Sequence, residues 1–178
     1  MMRRRIVHRL LKDKSGVAAI EFAILALPLF VLIFGIIELS AMFFVNTALD
    51  SSVHKNARLI KTGQAAEQTM SLATFKSKVC GAMVYMLNCE KKLLVSATVI
   101  TDVSTVGGMT PIDSEGNVTV TESFNIGYGG DYILVQAFLP WPPVVNLYSL
   151  SSRTLSDGSY LLGASTLFRN EPFPKKST

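Results

Sequence analysis

The feature that most limits what this chain can be is an uncharged, strongly apolar stretch near its N-terminus. Between Glu21 and Glu38 lie 16 residues, Phe22–Ile37, and none of them is charged. As a helix they would extend about 24 Å at about 1.5 Å per residue. Continued to Val45, the helix exceeds the roughly 30 Å of a bilayer's hydrocarbon core. The sequence therefore predicts a single transmembrane helix over residues 17–45.

The charges flanking this stretch indicate the direction in which it crosses. Residues 1–16 hold six basic side chains against one acidic one, a net charge of +5, while the whole chain carries +4, so the remainder sums to −1. Basic flanks stay in the cytoplasm, which places residues 1–16 there and nearly everything after residue 45 outside. Because the positive charge belongs to the leader, no nucleic-acid partner is expected.

The carboxylate of Glu21, at the edge of the apolar helix, needs an explanation. A charged side chain at mid-membrane costs about 2.5–3.5 kcal/mol on insertion scales and less near the interface. A plain anchor gains nothing from that cost. A cleavable secretory signal also fits poorly, since its apolar core would begin with this carboxylate. Ser40-Ala41-Met42 is only a weak match to the small-residue cleavage site that should follow such a core.

The string Ser15-Gly-Val-Ala-Ala-Ile-Glu-Phe22 resembles the leader of type IV pilin-type proteins. The resemblance implies cleavage after Gly16 by a prepilin peptidase, with Val17 as the new N-terminus and Glu21 as the fifth residue of the mature chain. Cleavage would create an α-ammonium on Val17, and staggered helices could pair it with Glu21 of a neighbouring subunit. Burial of Glu21 would then depend on assembly, and the pair would set the register between subunits.

The wider pattern is similar to the TadE-like minor pseudopilins of the tight-adherence (Tad/Flp) type IV pilus system. The matching segments are Ser15–Ala23, Leu27-Pro28-Leu29, Phe34–Leu39, Asn46–Asp50, Ala57–Gly63, Trp141-Pro142 and Phe168–Phe173. The major Flp pilins of that system carry Glu-Tyr where this chain has Glu21-Phe22, and they are much shorter. The resemblance therefore implies a minor component that helps to initiate or cap a pilus.

Partners and location follow from the same resemblance. The implied partners are the prepilin peptidase, other pilins and minor pseudopilins, the inner-membrane assembly platform and membrane lipid. The implied location is the bacterial inner membrane, crossed once, with a periplasmic domain over residues 46–174; incorporation into the pilus stays open. The alternative is an uncut bitopic protein that displays a periplasmic binding module, and an anchored enzyme is a third hypothesis.

Beyond residue 45 the apolar spacing first stays helical and then changes to two. Helical spacing up to Gly63 predicts one helix over about 17–62, roughly 69 Å long, and a second amphipathic helix is expected near 71–87. The helical positions are Leu49, Val53, Ala57 and Ile60 in the first, and Leu72, Phe75, Val79, Met83 and Met86 in the second.

Alternating apolar and polar residues then predict strands at 95–99 and 118–121, and two more buried strands are expected at 131–139 and 160–168. Trp141-Pro142-Pro143 should end the third, since proline donates no hydrogen bond to a sheet. The expected fold is α+β: a pilin-like long N-terminal helix, a second helix, and a small, mostly antiparallel β-sheet head. The tail, residues 175–178, is expected to be disordered.

Chemistry-bearing motifs are sparse. Cys80 and Cys89 fall in the exported part, where a disulfide is expected, the alternative being two small buried apolar side chains. Two thiols without a nearby histidine give too few ligands for a metal. His54 stands alone on a helix, and no nucleophile, zinc or phosphate-binding motif occurs. No catalytic residue, metal or cofactor is expected, which favours a structural role.

Overall fold

A single long helix dominates the N-terminal part of the chain. The computed structural model of the protein describes residues 16–83, 88–102, 111–143 and 155–173. It divides into two compact units, with the boundary between Leu39 and Ser40. We refer to them as the N-terminal unit and the head unit. Helix α1 (Val17–Lys61) is continuous across that boundary and contains Pro28 without a break.

The remaining elements belong to the head unit. Three short helices follow α1: α2 (Gln64–Glu67), α3 (Leu72–Gly81) and α4 (Cys89–Lys92). Four strands come next: β1 (Leu94–Ile100), β2 (Ser123–Phe124), β3 (Tyr132–Trp141) and β4 (Tyr160–Arg169). The strands form one sheet in the order β2-β1-β3-β4. The β1–β2 pair is parallel and the other two pairs are antiparallel. The expected α+β arrangement is confirmed.

One hydrophobic core joins the sheet to the helices of the head unit. The core includes four α1 residues at helical spacing, Leu49, Val53, Ala57 and Ile60, together with Phe75 and Val79 of α3 and alternate residues of β1, β3 and β4. Fully burying a side chain the size of Leu or Phe contributes about 1.5–3 kcal/mol. These same α1 and α3 positions were expected from spacing alone, and all six are buried.

The end of α1 is set by Gly63. Its φ of +79° is left-handed, a conformation in which a Cβ is costly, and its N–H donates to the Ile60 carbonyl at 3.0 Å. The helix ends at Lys61, one residue before the expected boundary. Strand β3 ends at Trp141, directly before Pro142, as expected because proline has no N–H to donate to the sheet.

Helix α3 is shorter than the spacing suggested. It ends at Gly81 rather than near 87; Met83 is buried beyond its end, and Met86 lies outside the described residues. The physical reason is the pairing of Cys80 with Cys89. A helix continued between them would separate their Cα atoms by about 13 Å, whereas the disulfide in the structure holds them 5.7 Å apart. The helix has to break for the two cysteines to meet.

The strand expected at 118–121 is also absent. Val118 makes only an isolated bridge to Ile112. Local hydrogen bonds occupy this segment: the Asp113 carboxylate accepts from the N–H groups of Glu115 and Asn117 at 2.9 and 2.8 Å, forming a turn. Donation by the Asn117 N–H lowers the pKa of Asp113. The strand beside β1 is instead the two-residue β2, at Ser123–Phe124, which the sequence pattern did not indicate.

Candidate functional site

The start of α1 carries the residues of the expected cleavage site. The Gly16 carbonyl accepts the Ile20 N–H at 3.1 Å, which makes Val17 the first residue inside the helix. A Cβ built on Gly16 would meet no described atom within 4 Å. Packing among the described residues therefore does not require glycine at this position.

Glu21 and Phe22 lie one turn further along the same helix. Glu21 is four residues after Val17, on the same face and about 6 Å along the axis. Both Glu21 and Phe22 are exposed, and 71% of the Phe22 surface is accessible. None of the ion pairs found among the described residues involves Glu21. The carboxylate therefore stands at the head of an exposed apolar helix without a cation from its own described chain.

Apolar side chains cover α1 on all sides in its first half. Large exposed hydrophobic residues run along the helix from Val17 to Phe44. Only 6% of its most apolar stretch of 18 residues is buried within the described protein. By length and composition this helix can cross a membrane, and one long apolar N-terminal helix fits a single-pass membrane protein. Glu38 is half-buried near the end of the apolar run.

The second half of α1 is tied to the head by a buried polar pair. Ser52 and Asn56 are 3% and 8% exposed, and they share the helix face of Leu49 and Val53. The Ser52 hydroxyl donates to the Val79 carbonyl at 2.9 Å, and the Asn56 amide donates to the Ser52 carbonyl at 2.9 Å. The first of these bonds links α1 to the last turn of α3, and the second lies within α1. Apolar spacing indicates neither residue, although two polar residues on an otherwise apolar stripe are a signal of such a contact.

The Cys80–Cys89 disulfide lies next to this junction. It joins the end of α3 to the start of α4, and the half-cystines are 9% and 4% exposed. Lys76 of α3 pairs with Glu122 at 2.9 Å, and the same carboxylate oxygen accepts the Val95 N–H at 3.3 Å. Both contacts fix α3 against the sheet.

The end of α1 is also held by the C-terminal clasp, which we define as Asn170–Phe173. The Glu171 N–H donates to the Lys61 carbonyl at 2.9 Å, satisfying a helix-terminal acceptor. The Phe173 ring lies against Gly63, so close that a Cβ there would meet it at 2.7 Å.

The first residue of the clasp holds a neighbouring loop. The amide of Asn170, which is 2% exposed, donates to the carbonyls of Ile126 and Tyr128 at 2.9 and 3.0 Å. The clasp thus connects the loop before β3 to the end of α1. Two segments on which the family resemblance was based, Ala57–Gly63 and Phe168–Phe173, meet here.

Comparison with known proteins bears on the helix. Residues 16–58 match the protein-family model described as TadE-like protein. Over this segment the chain is similar to TadE-like proteins. The match supports involvement in a Tad pilus system, and proteins of this family are typically structural rather than catalytic. No curated protein and no solved structure matched the chain.

The TadE-like segment contains the candidate cleavage and register residues Gly16, Val17, Glu21 and Phe22. It ends at Arg58, three residues before α1 does, and so excludes the cysteines and the clasp.

Within the described ranges there is no cluster of three or more metal-binding side chains. His54 faces Asp50 at 3.6 Å, and both side chains are about half exposed.

Proposed function

We propose that this chain is a minor pseudopilin, processed after Gly16 by a prepilin peptidase, that helps to initiate or cap assembly of a Tad/Flp pilus. The observation that carries the proposal is an exposed, TadE-like apolar helix that begins at Val17 and bears one exposed carboxylate a single turn later. An ordinary anchor gains nothing from Glu21 in that position.

The proposed mechanism is lateral packing of α1 helices. Processing leaves an α-ammonium on Val17, and a neighbouring subunit displaced along the helix axis presents Glu21 to it. Each charge is costly in an apolar environment alone, and the pair is tolerated only when both are present. Assembly at a defined stagger is therefore favoured over other staggers. The head unit supplies contacts that select partners in the periplasm.

Processing is tested on protein purified from its native membrane. Intact mass and N-terminal sequencing should show a chain that begins at Val17. A Gly16→Val change should block the cut and leave the leader in place, whereas Gly16→Ala is the smaller control change at the same site. Retention of residues 1–16 in the parent protein despite an active peptidase would favour the uncut bitopic protein over a pseudopilin.

The role of Glu21 is tested by removing its charge while keeping its shape. Glu21→Gln should leave cleavage largely intact and reduce the number of pili per cell. Glu38→Gln is the matched control, because it removes the other carboxylate flanking the same apolar run, and it should leave piliation close to that of the parent. Equal piliation in the Glu21→Gln strain and the parent would remove Glu21 from the mechanism.

A further inference from the structure

Strand β4 is the last strand at one side of the described sheet. All ten of its residues pair in order with β3. In the described part of the sheet its other side has no strand partner. The opposite edge is different, because there β2 covers Ser96 and Ala97 of β1 and is only two residues long. The outer side of β4 is thus the longest open edge in the described sheet.

Within the described residues, this edge lacks the charges, proline and bulge that often protect one. Exposed edges are usually interrupted by charges, proline or a bulge, since their unpaired N–H and C=O groups otherwise recruit another strand. Tyr160–Phe168 contains no charge and no proline, and its unbroken register with β3 leaves no room for a bulge. Gly163, Ser165 and Leu167 are exposed. For Gly163, that exposure is of the backbone itself.

The single charge on the strand lies at its end and is engaged within the chain. The Arg169 Nε donates to the Gly130 carbonyl at 2.8 Å. Its guanidinium carbon lies 5.7 Å from the centre of the Tyr132 ring. Arg169 is therefore held toward the loop before β3 and does not interrupt the middle of the edge.

We propose that β4 pairs antiparallel with β4 of a second copy of this chain, so that one sheet continues across a two-fold axis. Residues directly opposite each other in such a pair must point to the same face of the sheet. Centring the pair on Ala164 meets this condition. It places Leu161 opposite Leu167 of the partner subunit, and Gly163 opposite Ser165 of the partner subunit.

The strand is complementary to itself in this register. By symmetry the Leu161–Leu167 pair occurs twice, and each occurrence covers a leucine that is 40% exposed in the single chain. Arg169 comes opposite Ser159, so no like charges face each other. These features favour a second copy over an unrelated extended segment.

Cross-linking of the full-length chain in its native membrane tests the pairing. In the proposed register Ser165 and Ser165 of the partner subunit are diagonal neighbours, about 7–8 Å apart. A Ser165→Cys variant is treated with a bifunctional thiol reagent that spans about 8 Å. The matched control is Thr121→Cys, which is also exposed but precedes the short strand β2 at the other edge.

The dimer yield of Ser165→Cys should exceed that of Thr121→Cys by about fivefold or more. Adding Leu167→Lys to Ser165→Cys removes both leucine pairs at once and should lower the yield about tenfold. Leu167 is exposed, so lysine should be tolerated in the folded chain, and limited proteolysis verifies this.

Equal yields from Ser165→Cys and Thr121→Cys would overturn the proposal, as would a Ser165→Cys yield that Leu167→Lys leaves unchanged. A product that contains a different protein, identified by its mass, would also overturn the second copy as the occupant. The inference does not rest on cleavage at Gly16 or on pilus assembly, so it can fail while the proposed function stands.

Discussion

The two halves of helix α1 treat their apolar side chains in opposite ways. In the N-terminal unit, Phe22 and Leu25 are 71% and 72% exposed, whereas Leu49 and Val53 in the head unit are fully buried. The first half needs an apolar environment that its own described chain does not supply, and the second half is covered by α3 and the sheet. An apolar helix therefore needs an apolar environment. Whether the protein itself supplies that environment depends on which other segments of the chain pack against the helix.

The comparison is tested most sharply by truncating one phenylalanine in the exposed half of α1 and one in α3, which covers the buried half. Phe75→Ala should lower the free energy of unfolding of the head unit by about 3–5 kcal/mol, because it leaves a cavity in a fully buried site. Phe22→Ala, at an exposed site, should change it by less than about 0.5 kcal/mol. Thermal unfolding of the full chain in detergent, followed by Trp141 fluorescence, measures both. Comparable effects would mean that the N-terminal unit contributes to the stability of the head.

Removing the disulfide should have the next largest effect, confined to the head unit. Replacing Cys80 and Cys89 by serine frees a short loop of the unfolded chain and should lower the stability of the head by about 2–3 kcal/mol. Reductant should lower the melting temperature of the parent protein to a similar extent and leave the double variant unchanged. Thiol alkylation before and after reduction reports whether the bond is formed in the native protein. A parent protein that melts at the same temperature with and without reductant would contradict the prediction.

Two glycines with the same left-handed backbone conformation allow the cost of disturbing the clasp to be measured apart from the cost of backbone strain. Gly63 and Gly158 have φ of +79° and +82°, but among the described residues only Gly63 has a ring against it, that of Phe173. Gly158→Ala should cost about 1 kcal/mol, from the left-handed conformation alone. Gly63→Ala should cost about 2 kcal/mol or more, because the clasp must also shift. Urea unfolding of the two variants under identical conditions measures the difference, and equal costs would argue against tight packing of Phe173.

The smallest expected effect is a pH dependence at the turn before β4. The Ser159 N–H donates to the Asp157 carboxylate at 2.8 Å, which lowers the pKa of Asp157 below its ordinary 3.8. A lowered folded-state pKa stabilises the fold above pH 3.8, and this contribution is lost as the pH falls through the lower value. The difference in melting temperature between the parent and Asp157→Asn should therefore be constant near neutral pH and shrink below pH 3.8. A difference that grows on acidification would reverse the sign and contradict the prediction.

Local pattern predicted the elements well where a single period persists. The spacing of Leu49, Val53, Ala57 and Ile60 identified the buried face of α1, and alternation identified β1. Pattern failed where specific side-chain contacts compete with it. Met83 and Met86 continue the helical spacing of α3, but the disulfide turns the chain back after Gly81. Val118 alternates like a strand residue, but the carboxylate of Asp113 organises a turn instead.

The candidate assembly residues were visible in the sequence because they are defined by spacing along one helix. Val17, Glu21 and Phe22 need only a helix to be placed, and the structure gives them one that begins directly after Gly16. The clasp is the opposite case. Its contacts join Glu171 to Lys61 and Phe173 to Gly63, more than 100 residues apart in the chain. The spacing of residues along one segment does not indicate contacts with a distant segment.

By itself, the sequence determined that this chain has a long apolar helix with a carboxylate near its start, because charge and hydropathy are properties of single residues at known spacing. Only the tertiary structure decided where that helix changes from exposed to buried, and that β4 rather than β2 is the long open edge of the described sheet. Both depend on which distant segments pack together. A helix or strand acquires a covered side or an open edge only when its neighbours in space are known.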